Sequence, residues 1–465
     1  MRPLDTLLLA TDLLALLVLV VRSTGGARHL ALVPLPALTA QLLVDGSRWQ
    51  LVPAYALTGL LALAWLVRTA APRRVAGRGA GIAAGVGVLV LAVAIALPVA
   101  APVFALPTPT GPYAIGTRTY HWVDTTRADV FTAEPDDRRE LVVQLWYPAT
   151  AVPSAPRAPY VRDAGVLGPL ARLMGLPEFV LRHFEHVRTH AVADAPVADG
   201  GRYPVLLFSH GRGGYRQHNT AQVEELASHG YVVATIDHPH AAAGVAFPDG
   251  RVVGMDPRML DRTFIDGVIP FLAQDASFTL DRITALDRAD PDGELTGRLD
   301  LEHVGMFGVS LGGAVTGETC HRDARLRACL PIDVFLPADV VADGLRQPVM
   351  WITRDAATMQ REGWSQSDVE ETHSTMRAVF ARLPGAGYEV LVPGMFHTDF
   401  SDFPLVSPFL QPAGLSGTVG AQRAISIVNT YSRAFFDTHL KGVHAPLLDG
   451  PSPQFPEVLL ETRGR

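Results

Sequence analysis

Lysine is all but absent from this chain of 465 residues: Lys441 stands alone, and arginine supplies the other basic side chains. The bias has the look of coding-sequence composition and carries no functional reading. Nor is there a clustered Lys/Arg surface of the kind a phosphate backbone requires, so nucleic acid is not an expected partner. Cysteine is nearly as scarce, with Cys320 and Cys329 only. Neither shares a spacing with His or Asp that resembles a metal site, and no metal or cofactor is expected. In an oxidising compartment the two would pair; the plainer reading is two small apolar residues in the core. Acidic charge is thin at the start of the chain. Up to Leu106 there are eight arginines against three aspartates, a balance of +5, so the remainder carries −12 of the net −7.

A chain this long calls for two or more parts, and the apolar residues, 48% overall, show where the first boundary falls. Four apolar runs crowd the beginning, at about residues 4–21, 30–44, 51–67 and 82–106. A helix crossing a hydrocarbon core needs about 20 residues at roughly 1.5 Å each. The fourth run meets that and the third nearly so. The first carries Asp5 and Asp12, and the second is short and holds Pro34 and Pro36. A cleaved signal peptide competes as an account of the first run, but three further apolar runs follow it and its early basic region is Arg2 alone.

Arginine sets the orientation. The connector after the third run holds Arg68, Arg73, Arg74 and Arg78, and the one after the first holds Arg22 and Arg28. Between the second and third runs, "DGSRWQ" is nearly neutral. Both arginine-bearing connectors are therefore expected in the cytoplasm and everything after Leu106 on the far side of a cell membrane. Asp12 is either an intramembrane functional carboxylate or, more plainly, a residue near an interface. Residues 1–106 are read as a multi-pass transmembrane region of about four helices in a lipid bilayer. Residues 107–137 follow as an exit linker leading into the next domain, beginning with the stiff "LPTPTGP".

From residue 138 onward the periodicity changes. "ELVVQLWYP" alternates as a strand does and stops at Pro148, while "YPVLLFSHG" (203–211) is a short continuous apolar run, the pattern of a buried parallel strand. "YVVATID", "HVGMFG", "RACLPID", "PVMWIT" and "YEVLVPG" also read as strands. Helical stretches lie among them: "HNTAQVEELASHG", 256–286, a helix ending near Arg322, "SDVEETHSTMRAVFARL" and "QRAISIVNTYSRAFFDTHLKG". Such alternation predicts an α/β domain over 138–465, a mostly parallel sheet with helices on both faces. Reactive groups in such a sheet gather at the carboxyl ends of its strands.

Within that frame, "HVGMFGVSLGGAVTG" (303–317) places Ser310 directly after a strand and at the head of a helix. Gly308, Gly312 and Gly313 relieve crowding around a tight turn, and the helix N-terminus directs N–H groups and positive dipole toward the serine. A serine hydroxyl is a weak nucleophile unless a base takes its proton, and the base needs an orienting acid. The expected chain order is Ser, acid, His. Asp333 ends the strand "ACLPID" just after that helix, and His397 follows "YEVLVP" in the loop "GMFHTDF". Of the 16 histidines, His397 has this placement; His373 falls mid-helix and is read as solvated, and His439 lies near the end of the last helix.

Competing assignments are weaker. Asp237 also ends a strand, but one preceding Ser310, and "DHPH" (237–240) lacks two further ligands at metal spacing. Asp399 and Asp402 read as loop-ordering carboxylates, and Asp333 as an ordinary strand-end residue is the bland alternative. Negative charge developing on a carbonyl oxygen needs donors. Those expected are the N–H of Leu311 and, in the loop "SHGRGGYR", the N–H of Arg212.

Taken in order, "YPVLLFSHGRGGYR", "ELASHGYVVATIDH", "GVSLGG", "CLPID" and "HTDFSDF" resemble the plasma and intracellular type II platelet-activating factor acetylhydrolase family. That family belongs to the α/β-hydrolases, close to the dienelactone hydrolases, and the resemblance covers about 138–442. It implies an α/β-hydrolase fold, with the family's nucleophile, acid and base on Ser310, Asp333 and His397 and its oxyanion donors on Arg212 and Leu311. It also implies calcium-independent hydrolysis of esters with short or oxidised acyl groups, sn-2 phospholipid esters among them. Two features depart from the pattern. The apolar N-terminal region is not part of the vertebrate enzymes, and Arg212 stands where an apolar residue is expected between two glycines.

The segment 166–192 has helical periodicity with a proline break. It is read as a cover over the site, a helix on the bilayer surface, or an amphipathic helix packed on the sheet. The whole chain is then expected to be a membrane-anchored serine ester hydrolase with its catalytic domain outside the cytoplasm, acting on an ester or phospholipid through an acyl-enzyme. The alternatives are a general carboxylesterase, lipase or polyesterase, a catalytically silent hydrolase-fold scaffold, and a membrane transporter with an accessory domain. Few intramembrane polar groups and no evident internal repeat speak against the last.

Overall fold

The computed structural model describes residues 1–20, 25–70 and 78–464. These form two compact units. One comprises Met1–Phe104, Phe179–Val187 and Val406–Phe409, the other Ala105–Glu178, Arg188–Leu405 and Leu410–Arg465.

The first unit contains α1 (Pro3–Val20), α2 (Pro34–Val44), α3 (Val52–Ala70) and α4 (Arg78–Ala100). Among the described residues three helices are long and apolar enough to cross a membrane: Pro3–Val20, Trp49–Ala70 and Gly81–Ala100. The second apolar run yields only the 11 residues of α2, preceded by a 3₁₀ stretch, Gly25–Leu32. A 3₁₀ turn rises faster per residue, so the two together cover about 30 Å. Polar contacts fix the sense of each helix. Arg2, before α1, pairs with Asp45, after α2, at 3.1 Å. Arg68, in the last turn of α3, donates to the Leu19 carbonyl near the end of α1 at 2.6 Å. Gln50, before α3, donates to the Ala101 carbonyl after α4 at 2.9 Å. The four helices therefore run alternately up and down. Arg22, Arg73 and Arg74, on which the expected orientation partly rests, lie outside the described residues.

Two carboxylates inside this bundle are paired. Asp5 meets Arg48, both buried. Asp12 is halfway along α1 and fully buried, where it accepts a hydrogen bond from Thr58 of α3 at 2.7 Å. The Thr58 hydroxyl on the neighbouring helix thus gives one of its oxygens a partner inside the bundle.

The second unit is built on eleven strands. In chain order these are β1 (Ala114–Ala128), β2 (Arg138–Ala149), β3 (Arg157–Pro159), β4 (Arg188–Ala193), β5 (Tyr203–Ser209) and β6 (Val232–Asp237). After a separate two-stranded ribbon, β7 (Gly244–Ala246) and β8 (Val252–Gly254), come β9 (Leu299–Val309), β10 (Leu326–Ile332), β11 (Val349–Thr353), β12 (Gly387–Leu391) and β13 (Leu459–Arg463). The spatial order is β13-β12-β11-β10-β9-β5-β6-β2-β1-β4-β3. Every pair from β6 to β12 is parallel, while β2 joins β6 and β13 joins β12 antiparallel. The sheet thus begins at Ala114, within the stretch 107–137 read as exit linker and domain entry. The Thr110 N–H, 2.8 Å from the Glu225 carboxylate, already fixes the end of "LPTPTGP" to this second unit.

Helices cover both faces, as the alternation of strands and helices predicts: α5 (Leu167–Leu173), α6 (Thr220–Ser228), α7 (Arg262–Ala289), α8 (Leu311–Arg322), α9 (Ala338–Asp343), α10 (Ala356–Glu362), α11 (Gln366–Phe380) and α12 (Ala421–Leu440). Alternation along a strand divides the core in two. Val205 and Leu207 of β5 pack with α7 and α8; Leu206 and Phe208 pack with α6 and α12. Each such buried side chain contributes roughly 1.5–3 kcal/mol. The chain leaves β5 for β6 on one side, then returns through α7 to β9 on the other side of β5. Ligands in open α/β sheets settle at such a reversal.

The segment 166–192 is not one helix. It breaks into α5, a 3₁₀ stretch Glu178–His186 and strand β4, because Gly175 turns the chain at φ 68° and Pro177 follows. Its middle belongs to the first unit, where Trp49 donates to the Val180 carbonyl at 3.1 Å and stacks edge-on with Phe179.

Cys320, in the last turn of α8, and Cys329, in β10, form a disulfide across a sequence separation of 9. The plainer reading of two unpaired core cysteines therefore does not hold. Closing so short a loop stabilises the fold by about 2–3 kcal/mol. Cys329→Ala is accordingly expected to lower the thermal midpoint of the detergent-solubilised protein by several degrees. Non-reducing peptide mapping of the parent should recover a Cys320–Cys329 crosslink, and free thiols at both positions would contradict it.

Candidate active site

β9 runs directly into α8, and Ser310 is the hinge between them, at φ 57° and ψ −127°. That backbone conformation is costly for a non-glycine residue, on the order of 1–3 kcal/mol, and persists only where packing enforces it. Here the enforcement is visible. The Ser310 N–H continues the ladder to the Ile332 carbonyl at 2.9 Å, while α8 starts at once with Leu311. The first N–H groups of a helix have no intrahelical acceptor, so the Leu311 N–H is available beside the hydroxyl.

The loop after β5 presses against this hinge. A Cβ added to Gly211 would meet the Ser310 Cβ at 3.2 Å, and one added to Gly312 would lie 2.0 Å from the Ser209 carbonyl oxygen. Arg212 follows Gly211, with its exposed side chain donating to the Met259 carbonyl at 3.2 Å. His210 braces the same loop. Its Nε2 accepts the His238 N–H at 3.2 Å, which leaves Nδ1 to donate to the Gly211 carbonyl at 2.7 Å. Burial, then the neighbouring His238, pushes the His210 imidazole down to about 3, so it stays neutral.

Asp333 ends β10 and is also left-handed, at φ 47°. Its Oδ2 faces His397 Nδ1 at 2.6 Å. Its Oδ1 accepts from Thr353 at 3.2 Å, and Arg354 donates to Oδ2 at 2.9 Å. Burial alone would raise the carboxyl, but Arg354 and then His397 outweigh it and hold Asp333 below the ordinary carboxylate range. His397 stands in the loop after β12, a quarter exposed, with the Trp364 ring 5.2 Å from its own. Arg212, Ser310, Leu311 and Asp333 all line one cavity of about 540 Å³, walled further by Phe335 and Trp364. The structure thus brings four of the five expected site residues to the border of one cavity, with His397 bonded to Asp333.

The rival residues are engaged elsewhere. Asp237 accepts the Arg216 N–H at 2.6 Å and forms a buried ion pair with that guanidinium. His238 bridges Ser209 and Asp275, each at 2.9 Å. Asp399 gathers the Phe396 and Gly417 N–H groups at 2.7 Å, and Asp402 takes the Ala221 N–H at the start of α6. Both are loop-ordering carboxylates, as read from the sequence. His373 is half-buried on α11 rather than solvated.

Sequence reasoning missed Arg354, Glu362 and Trp364. Both oxygens of Glu362 accept the His397 N–H, at 3.1 and 3.2 Å, and Glu362 also pairs with Arg354. The signal available was an arginine one residue beyond the strand "PVMWIT", a place where an uncompensated buried charge would be prohibitive.

The family model for platelet-activating factor acetylhydrolase, isoform II, matches residues 100–249 and 286–445. A protein of Arthroderma benhamiae named "Probable 1-alkyl-2-acetylglycerophosphocholine esterase" is 26% identical over 387 residues, 77% of this chain and 93% of that protein. A platelet-activating factor acetylhydrolase of Cavia porcellus is 26% identical over 278 residues, 55% of this chain and 61% of its own length. Among solved structures, a ferulic acid esterase from Streptomyces cinnamoneus superposes with a TM-score of 0.62 and 33% identity, covering 77% of this chain and 99% of the other. The sheet and its flanking helices are those of an α/β-hydrolase.

Because the contact between Gly312 and the Ser209 carbonyl is backbone against backbone, no rotamer change can relieve a new methyl group there. Gly312→Ala is expected to cost at least the usual 1–3 kcal/mol or so of an overpacked core. A thermal midpoint equal to that of the parent would show that the two loops can separate freely.

Proposed function

Because the chain belongs to the platelet-activating factor acetylhydrolase isoform II family, we propose that it is a membrane-anchored serine ester hydrolase cleaving short-chain acyl esters, sn-2 acyl groups of phospholipids among them. The observation that carries this reading is the Asp333–His397 pair at 2.6 Å, with Asp333 on the same cavity wall as the strained Ser310. His397 takes the proton as the Ser310 Oγ attacks the ester carbonyl, and Asp333 fixes the ring so that Nε2 faces the serine. The N–H groups of Leu311 and Arg212 stabilise the oxyanion. His397 returns the proton to the leaving alkoxide, and water then attacks the acyl-enzyme by the same route in reverse.

The four apolar helices serve as the anchor. Their up-and-down run returns the chain after α4 to the level at which α1 begins, opposite the arginine-bearing connectors, so the catalytic unit faces outward. The Cys320–Cys329 disulfide supports an oxidising compartment. A general carboxylesterase is the second reading, favoured by the likeness to the ferulic acid esterase.

Ser310→Ala is expected to lower turnover of p-nitrophenyl acetate by about 10³-fold or more, and a fluorophosphonate probe should label the parent alone. Unchanged turnover in the variant would end the serine mechanism. A steep fall from acetate to octanoate supports the short-acyl reading, whereas a flat profile moves the assignment to the general esterase. A membrane-impermeant maleimide added to intact cells should label a cysteine introduced at the exposed Asp136 (Asp136→Cys), and labelling only after lysis would reverse the orientation.

A further inference from the structure

The hydrogen bonds around His397 close into a ring, of which the reaction as described uses only the link to Asp333. Starting at the imidazole, Nδ1 meets Asp333 Oδ2 at 2.6 Å, and Arg354 Nε donates to that same oxygen at 2.9 Å. The other end of the guanidinium pairs with Glu362, whose carboxylate accepts the His397 main-chain N–H. The circuit therefore leaves His397 by its side chain and returns by its backbone. Trp364 closes the remaining side. Its ring lies 4.6 Å from the Arg354 guanidinium carbon and 5.2 Å from the imidazole.

Such a ring constrains both position and charge. Arg354 has no exposed surface, and a guanidinium is tolerated there because it meets two carboxylates. Its planar fork reaches both at once, which a lysine ammonium would not do. Arg354 also competes with the imidazole for Asp333 Oδ2, drawing that oxygen's charge away from an imidazolium. Glu362 acts in the opposite sense, since a carboxylate on the His397 N–H favours positive charge nearby. We propose that Arg354 and Glu362 are a positioning pair that holds His397 in register with Asp333 and acts on it with opposed charges. The proposal rests on the roles given above to Ser310, Asp333 and His397.

Other groups face this ring and stay constant in the test. His218 lies within electrostatic reach of His397, and burial, then that neighbour, pushes it down to about 4. Asp355 and Asp399 act on Arg354, and the half-buried His373 faces Asp333.

The experiment is the pH profile of kcat/KM for p-nitrophenyl acetate with the full-length protein in detergent. Arg354→Gln should move the acid limb to higher pH by about 0.5–1 unit, the scale of one partly screened charge, and Glu362→Gln should move it to lower pH by a similar amount. The double variant should return toward the parent, and Arg354→Lys should retain part of the effect. A purely structural role would lower kcat in all variants without opposite limb shifts. Limbs unmoved, or moving in one direction in both single variants, would overturn the proposal. Should Arg354→Gln fail to fold, Glu362→Gln decides alone: a downward shift supports the pair and an unmoved limb refutes it. Ser310→Ala and His397→Gln run alongside. Turnover surviving in either overturns the functional reading and this proposal with it, whereas turnover lost in both with the limbs unmoved refutes this proposal only.

Discussion

Strands β5 and β9 lie side by side, and the chain leaves their carboxyl ends in opposite directions, one toward β6 and the other toward β10. This divergence opens the space in which the reactive groups stand. It also forces the loop after β5 against the start of α8, with Gly211 against Ser310 and Gly312 against Ser209. No side chain larger than hydrogen fits at Gly312. The strained backbone of Ser310 follows from the same crowding, because the residue must end a ladder to β10 and open a helix within a single step.

Around that crevice, buried charge is neutralised almost entirely through arginine. Arg354 joins Asp333 to Glu362, Arg216 joins Asp237 to Asp163, and Arg139 joins Asp275 to Asp129. Each guanidinium reaches two carboxylates from one planar fork, and Arg127 adds a second cation at Asp275. Removing a guanidinium would leave buried carboxylates without their main cation, which costs more than the pair contributes. The three clusters differ in consequence. Arg216 stands in the same loop as Gly211 and Arg212, and Asp275 of the Arg139 cluster reaches Ser209 at its start through His238, whereas the carboxylates paired with Arg354 touch His397 itself.

The bundle of apolar helices applies the same rule sparingly. Asp5 with Arg48 and Asp12 with Thr58, like the buried Gln41 and Gln50, put polar groups into a bundle whose apolar interior is leucine and alanine. A carboxylate halfway along α1 persists because α3 offers it a hydroxyl, a partner that the run of residues 4–21 gives no sign of.

The sequence by itself determined the parallel core of the sheet, because buried strands and the helices between them are written in local periodicity, and it singled out Ser310, Asp333 and His397 as strand-end residues in a telling order. Glycines flanking a serine and an acid closing an apolar run are local facts. Only the tertiary structure decided the rest. β1 and β4 mix polar and apolar residues and acquire strand form by pairing with β2 and with each other, so their own patterns carry little signal. Segment 166–192 looks helical by spacing, yet turns at Gly175 and enters the sheet, since ladder hydrogen bonds outweigh weak propensity. Cys320 and Cys329 pair because α8 folds back along β10, a distance that spacing alone does not give. Arg354 and Glu362 are eight residues apart in sequence and pair directly, and Glu362 in turn accepts the His397 N–H from 35 residues farther along the chain. Local sequence records which residues can react, and packing over long separations decides which charges hold them.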